Sequence, residues 1–309
     1  MKIFKLNTDT PFNENNICLA IGNFDGFHKG HQKIISMLKK ISKEKNLLSA
    51  IMSFDPHPRI YFDNNIEDFN IYTKEDKLKF LNDFDINIYI DFLFDHKLSK
   101  HSSNEFIRNI LVDKLKISNL VVGSDFKFGK DRIGNIDTLN NFSKEYGYEV
   151  NLVDTVKIEK NFEKFSSSLI RKDIRQGKME SVSHSLGRDW HITGKVIEGQ
   201  KKAREIKFPT ANMLPGNHIL PKKGVYCVEV TYNNKQYYGI SNFGVRPTVD
   251  GNKLLLETHI FNFDEEIYGN ELTVRFLTFI RSEQKFENFE KLTEQIIKDI
   301  ETAKKYHKL

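Results

Sequence analysis

Hydrophobic periodicity changes character once along this chain, near Leu186-Gly187-Arg188, and the change limits what each half can fold into. From residue 17 to about 155, short apolar runs alternate with amphipathic segments. Ile17–Gly22, Leu48–Phe54, Ile86–Phe92, Asn119–Gly123 and Glu149–Val153 read as strands. His31–Lys45, Thr73–Asp83, Asn104–Lys114 and Asn135–Tyr146 read as helices between them. Strand, helix, strand at this spacing predicts an α/β domain built on a parallel sheet with right-handed crossovers. Beyond Arg188 the runs Thr193–Ile197, Gly224–Tyr232, Lys235–Phe243, Lys253–Asn262 and Glu271–Ile280 follow closely, with turn signals at Asn233-Asn234 and Asp250-Gly251. One amphipathic helix, about Asn288–Lys305, closes the chain. This half predicts a small antiparallel β-barrel with a terminal helix. A length of 309 residues accommodates two domains, placed at 1–180 and 181–309 with a linker at about 178–192.

After the run Ile17-Cys18-Leu19-Ala20-Ile21 the chain reads Gly22-Asn23-Phe24-Asp25-Gly26-Phe27-His28-Lys29-Gly30-His31 before helical periodicity begins. Glycines let a strand end in a tight turn, and histidines three residues apart share one face of the next helix's first turn. Free backbone N–H groups and the positive end of the helix dipole favour an oxyanion there, and imidazole donors add directional hydrogen bonds. Three readings stand at this point: a phosphate site, a metal site on Asp25, His28 and His31, and a plain corner with two solvated histidines. Against the metal, no cysteine or further carboxylate lies close by to complete a shell, although distant ligands could.

In open parallel sheets ligands bind beyond the carboxyl ends of strands, and two further loops reach that edge. Asp55-Pro56-His57-Pro58-Arg59 follows the second predicted strand, its prolines restricting the backbone around His57 and Arg59. Gly123-Ser124-Asp125-Phe126-Lys127-Phe128-Gly129 follows the fourth. It reads either as a base-binding loop or as turn residues with both phenylalanines packed inside. Further on, Ser166-Ser167-Ser168 opens a short helix that Gly177 is placed to end. Its hydroxyls and the Arg171 guanidinium would clamp a second phosphate, unless the serines are only a helix cap.

Lys and Arg number 47 against 42 Asp and Glu, a net charge of +5, and both signs are mixed along the whole chain. A nucleic-acid surface more often shows as a basic block, so the excess suits anionic small molecules at least as well. Cys18 and Cys227 lie far apart and indicate neither a disulfide framework nor a zinc knuckle. No apolar signal core opens the chain and no apolar run would span a bilayer, so a cytoplasmic protein with reduced thiols is expected.

In the second half, Phe208-Pro209-Thr210-Ala211-Asn212 places a hydroxyl and a carboxamide two residues apart. In an extended segment both point to one side, where hard oxygens hold Mg²⁺ against phosphate; a proline-initiated turn is the competing reading. Glu257 lies within Leu256-Glu257-Thr258-His259-Ile260. A carboxylate is costly to bury in an apolar strand unless it pairs or works, which makes Glu257 either a general base or an edge residue facing water.

Together these segments resemble the prokaryotic bifunctional riboflavin kinase/FAD synthetase family over essentially the whole chain. The nucleotidylyltransferase signature appears as Gly22-x-Phe24-Asp25-Gly26-x-His28-x-Gly30-His31, joined by His57-Pro58, the Val122–Gly129 loop and Ser166-Ser167-Ser168-x-Ile170-Arg171. The kinase signature appears as Phe208-Pro209-Thr210-Ala211-Asn212, Gly224-Val225-Tyr226, Asn242-Phe243-Gly244-x-Arg246-Pro247-Thr248, Glu257-x-His259 and Tyr268-Gly269. The resemblance implies a Rossmann-like nucleotidylyltransferase domain followed by a riboflavin kinase barrel. Riboflavin and ATP would give FMN at the barrel, and FMN and ATP would give FAD and pyrophosphate at the first domain.

For the kinase the resemblance implies Glu257 as base, with Thr210, Asn212 and Mg²⁺ positioning the γ-phosphate. Arg204, Lys207, Pro209, Asn242, Arg246 and Tyr268 would surround flavin and ATP. For adenylyl transfer it implies His28 and His31 against the transition state and Ser167, Ser168 and Arg171 on the leaving pyrophosphate. Gly22, Phe24, Asp25, Gly30, His57, Arg59 and Asp125 would line the nucleotide site. Partners are then the small molecules riboflavin, FMN and ATP, with neither membrane nor nucleic acid expected and a weak homo-oligomer left open.

One departure from the family matters. Ala203-Arg204-Glu205-Ile206-Lys207-Phe208-Pro209 stands where Gly-Arg-x-x-Gly-Phe-Pro is usual. If either glycine serves positive φ or close approach to phosphate, the flap over ATP is strained. Two alternatives follow: an FAD synthetase with an impaired kinase, and a flavin-sensing or RNA-binding regulator. Lys127 for arginine and Ser168 for threonine are milder departures.

Overall fold

The computed structural model describes residues 1–63, 65–156, 164–198, 208–248 and 251–309. They form two compact units: Met1–Glu67 with Thr73–Ser166, and Asp68–Tyr72 with Ser167–Leu309.

In the first unit the apolar runs become parallel strands β1 (Lys2–Leu6), β2 (Ile17–Ile21), β3 (Leu48–Asp55), β4 (Ile88–Leu93), β5 (Ile117–Gly123) and β6 (Glu149–Val153). They lie in the order β1-β4-β3-β2-β5-β6. Every residue of β2 is buried, as a central parallel strand covered on both faces requires. Alternate residues feed opposite cores: Ile17, Leu19 and Ile21 face one, while Cys18 and Ala20 face Ile35, Leu38 and Ile41 of helix α1 (Lys29–Glu44) on the other. A short helix α2 (Pro58–Phe62) follows β3, α3 (Lys74–Asp83) precedes β4, and α4 (Ile136–Tyr146) precedes β6. Thr73 and Asn135 cap α3 and α4 through capping boxes, at the residues where the expected helices begin.

Two elements depart from expectation. β1 was not foreseen; among the described residues it pairs only with β4, and it is mostly exposed, so its five residues carry no buried run to read. The helix expected over Asn104–Lys114 winds as a π-helix over Phe106–Lys114.

The second unit holds, among the described residues, a closed barrel in the order β10-β11-β8-β7-β12-β9. Its strands are β7 (Trp190–Ile197), β8 (Ala211–Met213), β9 (Gly224–Tyr232), β10 (Lys235–Thr248), β11 (Gly251–Ile260) and β12 (Glu271–Ser282), paired antiparallel. Trp190, Tyr226, Phe243, Leu256 and Phe276 are fully buried, on the face that fills the barrel. Val225, Cys227, Ile240 and Phe261 form a separate cluster with Ile300 and Ala303 of the terminal helix.

That terminal helix, α7 (Phe289–His307), is fastened at two further points. Arg281 Nε donates to both oxygens of the buried Asp299 carboxylate at 2.9 Å, and Cys227 Sγ lies 3.0 Å from His307 Nε2. Burial pushes the Cys227 thiol up to about 12, so it packs and hydrogen-bonds rather than reacts.

The stretch expected as linker is mostly helix. α5 (Ser167–Gln176) ends at Gly177 with φ 74°, and α6 (Met179–Leu186) ends at Gly187 with φ 73°. Asp68–Tyr72 belongs to this second unit. The Arg171 Nε–H donates to the Phe69 carbonyl at 2.8 Å, the Trp190 Nε1–H to that of Ile71 at 2.8 Å, and the Ile219 N–H to that of Asn70 at 2.7 Å.

Candidate active sites

At the carboxyl end of β2 the backbone turns through positive φ at Phe24 (49°), Gly26 (88°) and Phe27 (46°). For the two phenylalanines the left-handed region costs roughly 1–2 kcal/mol each. Both rings are 1% exposed, and burying such a side chain returns roughly 1.5–3 kcal/mol, so packing holds the strained loop in place.

His28 then caps α1 by accepting the His31 N–H on Nδ1 at 3.3 Å. An Nδ1 that accepts leaves the neutral ring's proton on Nε2. The two imidazoles stack with centroids 3.6 Å apart and planes 20° from parallel. Asp25 and His28 are both buried. A Cβ on Gly30 would lie 3.0 Å from His28 Cε1, so the absent side chain makes room for that ring.

The loop after β3 is tied to this corner. His57 caps α2 by accepting the Arg59 N–H on Nδ1 at 3.1 Å, which puts its proton on Nε2. Asn23 Nδ2 faces that Nε2 at 3.1 Å; two N–H donors cannot pair, so the carboxamide is read with its two ends exchanged, its oxygen accepting the His57 proton. This orientation also satisfies the Asn23 oxygen, which has no other partner among the described residues. Arg59 is exposed beside it.

In the loop after β5, Phe126 and Phe128 stack at 5.5 Å, with Phe128 packed into the core and Phe126 against it. Packing therefore claims Phe128 rather than a base. Asp125 is ion-paired to Lys164.

Lys77 of α3 was not foreseen. Burial pushes its ammonium down, opposed by the charges of Asp25, Asp91 and Asp55. Neighbouring Lys74 pairs with Asp91 and, at 3.1 Å, with Asp55; burial works against its charge, but these two carboxylates outweigh it and hold the pKa up. A cavity of about 310 Å³ adjoins Asp55, Lys74 and Asp91, but it contains neither imidazole of the pair.

In the second unit Ser167 opens α5, followed by Ser168. Arg171, expected to project from the helix, is buried, with its guanidinium 3.6 Å from the Phe69 ring centroid.

On the barrel, register aligns Asn242 of β10, Glu257 of β11 and Asn212 of β8 in one cross-strand row. Their chain neighbours Ser241, Phe243, Leu256 and Thr258 are fully buried, so the row lies on the barrel's outer wall. Glu257 is half-buried there and accepts from Asn242 Nδ2 at 3.4 Å. Asn212 Nδ2 donates to the Thr210 carbonyl at 3.5 Å, so the Asn212 oxygen is the atom suited to a cation. The segment from Ala211 is strand, not a proline-initiated turn. His259 Nδ1 lies 2.9 Å from the Pro209 carbonyl, and its ring meets Phe208 edge-on at 5.5 Å. Burial lowers the His259 pKa, opposed by that carbonyl. Tyr268 sits in the turn before β12. Ala203, Arg204 and Lys207, and the Arg246 side chain, lie outside the described residues.

Among the described residues no three His, Cys, Asp or Glu side chains gather in a group that could hold a metal ion. No helix among them is long and apolar enough to cross a membrane.

A parallel α/β sheet with imidazoles at a helix start, followed in the chain by a closed barrel bearing an outward carboxylate between two carboxamides, defines a two-domain transferase of phosphorus-containing groups. Residues 10–169 match the FAD synthetase family and residues 186–307 the riboflavin kinase family. The chain is 38% identical over 297 residues to the bifunctional riboflavin kinase/FMN adenylyltransferase of Buchnera aphidicola subsp. Schizaphis graminum, covering 95% of each. It is 32% identical over 289 residues to the Escherichia coli K12 protein of the same name, covering 93% of this chain and 92% of that one. A crystal structure described as a macrolide-efflux protein from Streptococcus pneumoniae superposes with a TM-score of 0.87 at 27% identity, covering 98% of each chain. The chain belongs to the bifunctional riboflavin kinase/FMN adenylyltransferase family.

Proposed function

We propose that the stacked imidazoles of His28 and His31 serve adenylyl transfer and that the Asn242–Glu257–Asn212 row serves phosphoryl transfer. Both activities come with family membership; the division of labour among residues is inferred from geometry. The proposed domains are 1–180 for FAD synthetase and 181–309 for riboflavin kinase, a division supported by the matched ranges 10–169 and 186–307.

In the first reaction the riboflavin terminal hydroxyl attacks the γ-phosphorus of ATP, ADP leaves, and Glu257 takes the hydroxyl proton. Asn242 steadies the carboxylate through its 3.4 Å hydrogen bond. Thr210 and Asn212 fit Mg²⁺ by donor chemistry and would hold it through a hydroxyl and a carboxamide oxygen. When bound, the ion would neutralise phosphate charge.

In the second reaction an FMN phosphate oxygen attacks the α-phosphorus of ATP and pyrophosphate leaves. His28 donates through Nε2, and the start of α1 adds backbone N–H groups and dipole. Gly22, Phe24, Asp25 and Gly30 shape the corner, with His57, Arg59 and Asp125 on the neighbouring loops. Ser167, Ser168 and Arg171 are assigned to pyrophosphate from their motif alone, as Arg204, Lys207, Pro209, Arg246 and Tyr268 are to flavin and ATP. A cytoplasmic location fits two buried free thiols.

The stacking of the two imidazoles at the helix start carries this reading. Purified protein given riboflavin, Mg²⁺ and ATP yields FMN and then FAD; neither product would end the assignment. FAD from FMN, with riboflavin untouched, would indicate the impaired kinase that Ala203 and Lys207 raise. Flavin binding without turnover, with salt-dependent RNA affinity, would indicate the regulator. Gly30→Ala pushes against the His28 ring and lowers FAD formation from FMN about ten- to a hundredfold, leaving riboflavin phosphorylation unchanged. Steady-state assay of each reaction checks this.

A further inference from the structure

We infer that His259 is a positioning residue for phosphoryl transfer, its Nδ1–H holding the Pro209 carbonyl and with it the peptide that leads into Thr210. The inference rests on the reading of Thr210 and Asn212 as the phosphate and cation side of the kinase site.

The β8–β11 ladder pairs Met213 with Leu256, Asn212 with Glu257 and Ala211 with Thr258, and ends there. The next position in register would pair Thr210 with His259. Thr210 thus lies one step beyond the backbone pairing, and its placement needs another tie. His259 supplies one from the side chain, with Nδ1 2.9 Å from the Pro209 carbonyl oxygen.

Proline makes this tie effective. Its ring fixes φ, so ψ is the remaining backbone freedom at Pro209, and ψ sets the plane of the peptide entering Thr210. Anchoring the carbonyl oxygen fixes that plane. The Phe208 ring, edge-on to the imidazole at 84°, restrains the segment from the other side.

A carbonyl only accepts, so His259 carries its proton on Nδ1, and the bond persists whether the ring is neutral or protonated. On β11, His259 follows Glu257 by two residues, on the same outward face and about 7 Å along the strand. One strand therefore presents the base and the clamp together.

The test uses the full chain with His259→Phe, which keeps an aromatic ring against Phe208 but cannot donate, and His259→Asn, whose amide N–H reaches the Nδ1 position. For His259→Phe, kcat for riboflavin phosphorylation falls about ten- to a hundredfold, while riboflavin affinity from flavin fluorescence stays within about threefold. His259→Asn recovers kcat to within about threefold of wild type. FMN adenylylation is unchanged in both. Wild-type kcat in the Phe variant, or an Asn variant that binds riboflavin normally yet loses as much kcat as Phe, overturns the inference. If His259→Phe fails to fold, the Asn variant decides alone: kcat near wild type supports the clamp and its loss refutes it. Thr210→Val in the same assay separates the underlying reading, because unchanged kcat there removes Thr210 from the site whatever the His259 variants do.

Discussion

His28→Ala lowers FAD formation from FMN by about 10²–10³-fold, the cost of removing one positioned donor to a developing oxyanion, while riboflavin phosphorylation by the same protein stays at its wild-type rate. The size follows from where the ring sits. His28 is buried, stacked on His31 at 3.6 Å, and its Nδ1 accepts the His31 N–H, which leaves Nε2 as the ring nitrogen that carries the proton. Losing the ring also uncaps α1, worth about 1 kcal/mol of stability. His28→Asn separates the two effects: asparagine caps a helix well but offers no donor at the Nε2 position. It is expected to restore the melting temperature and not the rate. His31→Ala costs a similar factor, and the double variant costs less than the product, because stacked groups acting on one charge are not additive. A His28→Ala enzyme that still makes FAD at more than about a third of the normal rate would remove the corner from the mechanism.

The part of this site that a sequence can show is the part written in local spacing. A buried five-residue run, a glycine turn and histidines at i and i+3 announce a strand, a corner and a shared helix face, and β2 and α1 form where expected. The helices expected from Thr73, Asn135 and about Asn288 form there too, each capped by that residue's side chain. What escaped depends on pairing between distant segments. β8 is only three residues long and exists because β11 and β7 flank it. Asp68–Tyr72 carries no motif, yet Phe69, Ile71 and Tyr72 are buried in the second unit. Asn23 matters through His57, and Lys77 through Asp25, each across a loop or a helix that periodicity cannot connect. Glu257 was visible as a charge in an apolar strand, but only the register shows that it faces outward between Asn242 and Asn212.

That outward row makes Glu257→Gln the sharpest test of the kinase half. Glutamine keeps the length and shape of the side chain and can still accept from Asn242, so the geometry of the row survives while the proton acceptor is lost. Riboflavin phosphorylation is expected to fall about 10²–10⁴-fold, the range for a general base, with little change in riboflavin affinity. FMN adenylylation continues at the wild-type rate. The barrel's interior is untouched, since Leu256 and Thr258 on either side face inward and are fully buried, so the melting temperature moves by no more than a few degrees. A surviving rate would mean that catalysis rests on positioning and charge neutralisation alone, as most of phosphoryl transfer does, and Glu257 would then be a bystander holding Asn242. Asn242→Ala distinguishes these cases. If Glu257 is the base, losing the 3.4 Å hydrogen bond that steadies it lowers kcat by about tenfold, whereas a bystander pair leaves kcat alone.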